Sequence, residues 1–85
     1  MKIQILGAGC QRCEDLYRNA VEAVKRVEGE PAATNVEKVV DPEVFFRFNV
    51  YVTPALVIDE KVISSGKSLT VEQIEGEILK HRPGA

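Results

Sequence analysis

The sequence predicts an α/β domain, residues 1–85, in which helices pack on one mixed β-sheet. Three features predict it: an apolar strand that ends in a glycine loop and runs into an amphipathic helix, an Asp-Pro helix start in mid-chain, and a late apolar hairpin followed by a capped final helix. The order that results is β-α-β-α-β-β-α. A strand–helix–strand crossover joins parallel strands and a hairpin joins antiparallel ones, so the sheet must be mixed.

Ile3, Ile5 and Leu6 form the first apolar run, and Gly7-Ala8-Gly9 ends it, which places a strand at Lys2–Leu6. From Cys13 onward Leu16, Tyr17, Ala20, Val24 and Val27 recur at three- and four-residue steps, with Glu14, Asp15, Arg18, Glu22, Lys25 and Arg26 on the other face. That helix stops at Gly29, with Pro31 just beyond, because glycine accepts a left-handed exit and proline cannot continue the ladder. Thr34–Val40 is rich in β-branched residues and reads as a strand. Asp41 caps a short helix over Pro42–Phe48, proline being at home in the first helical turn. After Thr53-Pro54, the runs Ala55–Ile58 and Val62–Ser65 flank Asp59-Glu60-Lys61 as a hairpin whose turn carries no glycine. Thr70 and Gln73 make a capping box for a last helix with Val71, Ile74, Ile78 and Leu79 as its inward stripe. Residues 81–85 read as a tail.

Composition narrows the function. A hydrophobic content of 45% supports one modest core, and 28% charged residues with no Trp and five aromatics is the composition of an ordinary globular domain rather than a disordered or collagen-like chain. Eleven Lys and Arg against thirteen Asp and Glu give a net charge of −2, and the signs alternate, so no basic stripe exists to meet a nucleic acid. No apolar run approaches the roughly 20 residues that span a bilayer, so no membrane partner is expected. Met1-Lys2 leads straight into the first strand without a signal peptide, so the expected location is cytoplasmic.

The two cysteines, Cys10 and Cys13, stand where strand, glycine loop and helix start meet. A bridge between them closes too short a loop to stabilise the fold much, which favours a chemical over a structural role. Three residues apart in a first helical turn, they share one face. The helix dipole favours a thiolate on Cys10, the expected nucleophile, and Cys13, on the apolar face, is the expected resolving thiol. Arg12 adds positive potential there; Glu14 and Asp15 oppose it.

Two other functions fit a Cys-x-x-Cys pair. One is a soft-metal carrier for Cu(I) or zinc, as in heavy-metal-associated domains. Those domains run β-α-β-β-α-β and carry a Met two residues before the first Cys, whereas this chain has Ala8 there and ends on a helix. Two thiolates are an incomplete zinc set, and His81 reads as solvated, so no metal site is expected. The other is an interaction module with Phe45, Phe46 and Phe48 as its surface, against the simpler reading that they pack the second helix on the sheet. Tyr51 either leans over the dithiol or closes a loop edge.

Gly7-Ala8-Gly9-Cys10-Gln11-Arg12-Cys13, Thr53-Pro54-Ala55-Leu56-Val57-Ile58-Asp59 and Val62-Ile63-Ser64-Ser65-Gly66-Lys67 resemble the small prokaryotic thioredoxin-like redox-active disulfide proteins, of glutaredoxin-like size. The resemblance spans about Ile3 to Leu79. It implies a thioredoxin fold, a four-stranded mixed sheet with three helices, and a thiol–disulfide oxidoreductase that needs no cofactor. It implies that Pro54 is cis beside the dithiol, that Thr53 pairs with an incoming substrate by β-addition, and that Ser64-Ser65-Gly66 lies near the active face. Gln11 and Arg12 join Thr53 and Pro54 as expected substrate-binding residues, with Cys10 and Cys13 catalytic. The expected partners are a disulfide-containing protein or small-thiol substrate and an upstream reductase, and the chain is expected to be a monomer. Thioredoxins proper carry Trp-Cys-Gly-Pro-Cys, where this chain has Gly9 before Cys10 and Gln11-Arg12 between the cysteines. Gln4, which cannot ionise, replaces their buried acid; Ser65-Gly66 replaces the glutaredoxin Gly-Gly.

Overall fold

The computed structural model describes residues 2–7, 11–29 and 36–81. Its elements are β1 (Ile3–Leu6), α1 (Gln11–Glu28), β2 (Val36–Val39), α2 (Pro42–Arg47), β3 (Ala55–Ile58), β4 (Lys61–Ser65) and α3 (Val71–His81). The predicted order β-α-β-α-β-β-α stands, with a four-stranded sheet in the spatial order β2-β1-β3-β4. β1 pairs with β2 in parallel, Ile3 opposite Val36, and with β3 antiparallel, Ile3 opposite Ile58. β4 closes the sheet antiparallel to β3, with a register shift between Leu56 and Val57. The chain thus has a thioredoxin fold.

The pleat divides β1 between two cores. Ile3 and Ile5 join Val36, Leu56 and Ile58 under α1 and α3, where Leu16, Ala20, Ala23, Val24, Ile74 and Ile78 complete the larger cluster. Leu6 faces the other way, with Ala55, Val57 and Val50, and is covered by Phe45 and Phe48. Each fully buried aliphatic side chain contributes about 1.5–3 kcal/mol. The helix that carries Cys13 is therefore anchored on the larger of the two cores.

The ends of the elements follow from named contacts. Gly29 leaves α1 at φ 93°, its N–H donating to the Lys25 carbonyl at 3.0 Å. The Asp41 carboxylate accepts the Glu43 N–H at 3.0 Å at the head of α2. The capping box before α3 is reciprocal: the Thr70 N–H donates to Gln73 Oε1 at 2.9 Å, and the Gln73 N–H to Thr70 Oγ1 at 3.2 Å.

Several boundaries differ from the sequence reading. α1 starts at Gln11 rather than Cys13, because exposed Gln11 and Arg12 lend nothing to an apolar periodicity. β1 begins at Ile3, and α2 ends at Arg47 with Phe48 as its C-cap. The hairpin loop is two residues, not three: Asp59 and Glu60 both take positive φ, 48° and 68°, and Lys61 already pairs with Ile58. This is the twist a two-residue hairpin needs. Asp59 is held in place by two bonds to Lys2, accepting its N–H through Oδ1 at 2.7 Å and donating to its carbonyl at 2.8 Å. Leu79 is half exposed because Ile74 and Ile78 occupy the inward line. His81 belongs to α3, half-buried, its Nε2 3.8 Å from Glu77 Oε2. Thr34 and Asn35, predicted to start β2, and the tail 82–85 lie outside the described residues.

Candidate dithiol site

β1 delivers the chain to Gly7, whose N–H continues the parallel ladder by donating to the Val39 carbonyl at 3.0 Å. Cys10 falls outside the described residues, and α1 opens at the residue that follows it. Cys13 lies in the first turn of α1 and is 4% exposed. Its sulfur rests against Gly7: a Cβ on Gly7 would overlap Cys13 Sγ, stand 3.0 Å from Cys13 Cβ and reach Pro54 Cα at 3.9 Å. Gly7 is therefore the spacer between the buried thiol and the proline loop. No side chain fits there, which is a reason for glycine that the sequence alone did not display.

Pro54 is fully buried, and the Thr53-Pro54 peptide is cis. The loop around it is tied to the far end of β4. The Gly66 N–H donates to the Pro54 carbonyl at 2.8 Å, and Ser65 Oγ donates to the Val52 carbonyl at 2.9 Å. Gly66 sits at φ 79°, in the left-handed region, with Val52 Cγ1 2.7 Å from where a Cβ would stand. Half-buried Thr53 lies between the two anchored carbonyls.

Arg12 is exposed and reaches across to this loop, Nη2 donating to the Gly66 carbonyl at 2.6 Å. Gly66 thus links the first turn of α1 to the proline loop. Gln11, also exposed, turns back along its own helix, Nε2 donating to Asp15 Oδ1 at 3.0 Å. Gln4 is buried at 7% exposure, in register with Glu37 and Val57 on the face of Leu6, so it lies beneath α2 rather than beneath the cysteine helix.

The three phenylalanines divide. Phe45 and Phe48 pack on the smaller core, whereas Phe46 is 66% exposed and tilts against the exposed Tyr51 ring, centroids 6.5 Å apart. A six-residue helix and its cap cannot turn three neighbouring rings inward, and Phe46 is the one left out. Tyr51 meets Phe46 at the loop edge.

A buried cysteine in the first turn of the helix after β1, separated only by a glycine from a cis-proline at the head of β3, places the molecule among thioredoxin-like redox proteins. Comparison with known proteins agrees. Residues 1–79 match the thioredoxin-domain family, and the chain belongs to it. It is 30% identical over 82 residues to a thioredoxin of Methanocaldococcus jannaschii, covering 96% of this chain and 91% of that one. It is 32% identical over 75 residues to a thioredoxin of Methanothermobacter thermautotrophicus, covering 88% and 94%. No helix among the described residues is long and apolar enough to cross a membrane.

Proposed function

We propose that the protein is a thiol–disulfide oxidoreductase that exchanges a Cys10–Cys13 dithiol with disulfide-bearing polypeptides or small thiols in the cytoplasm. The observation that supports it most is the seat of Cys13: a sulfur buried in the opening turn of α1, against Gly7 and beside Pro54, with Cys10 immediately before the helix. A helix N-terminus stabilises a thiolate, and burial keeps a thiol inert until a disulfide is brought to it.

In the proposed cycle Cys10 thiolate attacks one sulfur of the substrate disulfide, forming a mixed disulfide and releasing the first substrate thiolate. Cys13, having lost its proton, attacks Cys10 Sγ and releases the second thiolate, leaving the Cys10–Cys13 disulfide. Two electrons pass to the substrate, and its two thiolates are protonated. An upstream reductase returns the pair to the dithiol. Thr53 receives the substrate backbone beside Pro54, with Gln11 and Arg12 at the rim. The thioredoxin relatives support the reaction class.

Cys13→Ser tests the assignment, because it keeps the nucleophile and removes the resolving thiol. It is expected to trap a mixed disulfide on Cys10 with an oxidised peptide, visible as an adduct mass that dithiothreitol removes, while Cys10→Ser forms none. Turnover by Cys10→Ser, or stoichiometric Cu(I) binding by a wild-type protein that turns over no disulfide, would refute it.

A further inference from the structure

The opening turns of α1 carry two carboxylates, Glu14 and Asp15, that oppose a thiolate beside them. The fold engages each with a cation. Lys38 of β2 lies in register with Ile5 and brings Nζ to 2.6 and 2.7 Å from the two Glu14 oxygens, with Nζ also 5.0 Å from the Tyr17 ring centroid. Asp15 Oδ1 accepts from Gln11 and stands 3.6 Å from Arg18 Nη2. Arg12 is different: its guanidinium donates to the neutral Gly66 carbonyl and forms no ion pair among the described residues. With both acids offset, the described residues leave one positive charge, that of Arg12, in the opening turns of the helix.

We propose that Lys38 is a positioning residue for the dithiol: by holding the Glu14 carboxylate on β2, it leaves Arg12 as the net charge in the opening turn of α1, the helix that follows Cys10 in the chain and carries Cys13, and thereby favours the reactive thiolate. This rests on the oxidoreductase reading. β2 is an edge strand, where lysines also discourage unwanted strand pairing. That role is served by any rotamer, whereas Lys38 is fixed by both Glu14 oxygens and an aromatic face.

The remaining charged groups around this turn do not replace it. Glu37 alternates to the other face, in register with Gln4. Asp41 is occupied by the Glu43 amide, and Lys67 is exposed beyond Gly66. Between Ile3 and Gly7, β1 has no ionisable side chain, and the proline loop offers only the Tyr51 phenol. α3 meets α1 through Glu75 and Arg26, 3.2 Å apart and more than three turns along the helix from Cys13.

The test compares wild type, Lys38→Met, Lys38→Arg, Glu14→Gln and the double variant by following thiolate absorbance against pH in the reduced proteins. Lys38→Met uncovers a carboxylate next to Cys13 in the chain and four residues after Cys10. It should raise the titration midpoint by about half a pH unit and slow alkylation below that midpoint about threefold. The shift should contract in about 1 M salt. Lys38→Arg should match wild type, and the double variant should return to within about 0.2 unit of it, because the uncovered charge is gone. Lys38 and Glu14 are both over 40% exposed, so these variants should fold. A Lys38→Met midpoint within about 0.1 unit of wild type, or a double variant as displaced as Lys38→Met, would overturn the inference while leaving disulfide exchange standing. A wild-type protein whose thiols titrate like free cysteine and exchange no disulfide would overturn the functional reading and this inference with it.

Discussion

Gly7→Ala should weaken both the fold and the exchange reaction, through one contact. Gly7 does not use the left-handed region, so on backbone grounds alanine should stabilise by about 0.4–1 kcal/mol by restricting the unfolded chain. Sterics oppose this. The new Cβ overlaps Cys13 Sγ and comes within 3.0 Å of Cys13 Cβ, and Cys13 is too buried to swing into solvent. Overpacking of this kind costs about 1–3 kcal/mol, so the net expectation is a loss of about 1–2 kcal/mol. Urea unfolding reads it directly: with a slope near 1 kcal/mol/M for so short a chain, the midpoint should fall by about 1–2 M. Cys13→Ala in the same background removes the overlapping sulfur but not the tight Cβ, so the Gly7→Ala penalty should shrink by at least about 1 kcal/mol there. Resolution of a mixed disulfide on Cys10 should also slow, since the displaced sulfur is the one that attacks. An unchanged midpoint, or an equal penalty with and without the Cys13 sulfur, would refute the packing argument.

Glu60→Gly should raise stability by about 0.5–1 kcal/mol, measured by urea midpoint, because Glu60 holds φ 68° in the hairpin turn. Thr70→Ala should cost about 1 kcal/mol by thermal or urea unfolding, since it removes the acceptor for the Gln73 N–H at the start of α3.

Much of the architecture was legible because the relevant signals are local. The apolar period of Leu16, Ala20 and Val24, the Asp41-Pro42 start, and the Thr70/Gln73 box each fix an element from residues a few positions apart, and each stands in the structure. What escaped depends on contacts between residues distant in sequence. Nothing in Gly7-Ala8-Gly9 distinguishes a permissive loop glycine from one pressed against a sulfur six positions later. Arg12 reads as a surface charge until Gly66, 54 residues on, supplies its acceptor. The Asp59-Glu60 turn hid for another reason. It has the backbone of a glycine turn without the glycine, held by Lys2, the residue just before β1. The balance of charge near the cysteines was likewise unreadable, because the cation that engages Glu14 comes from β2.

Disulfide exchange by this protein requires Cys10 and Cys13 to act as one two-electron couple. Equilibrating the protein across ratios of reduced to oxidised glutathione, quenching with acid and weighing the products tests this directly. The expected result is a single transition between the dithiol and the intramolecular disulfide, with glutathione adducts accumulating only in Cys13→Ser. Independent oxidation of the two sulfurs, or a persistent adduct on wild-type Cys10, would contradict it.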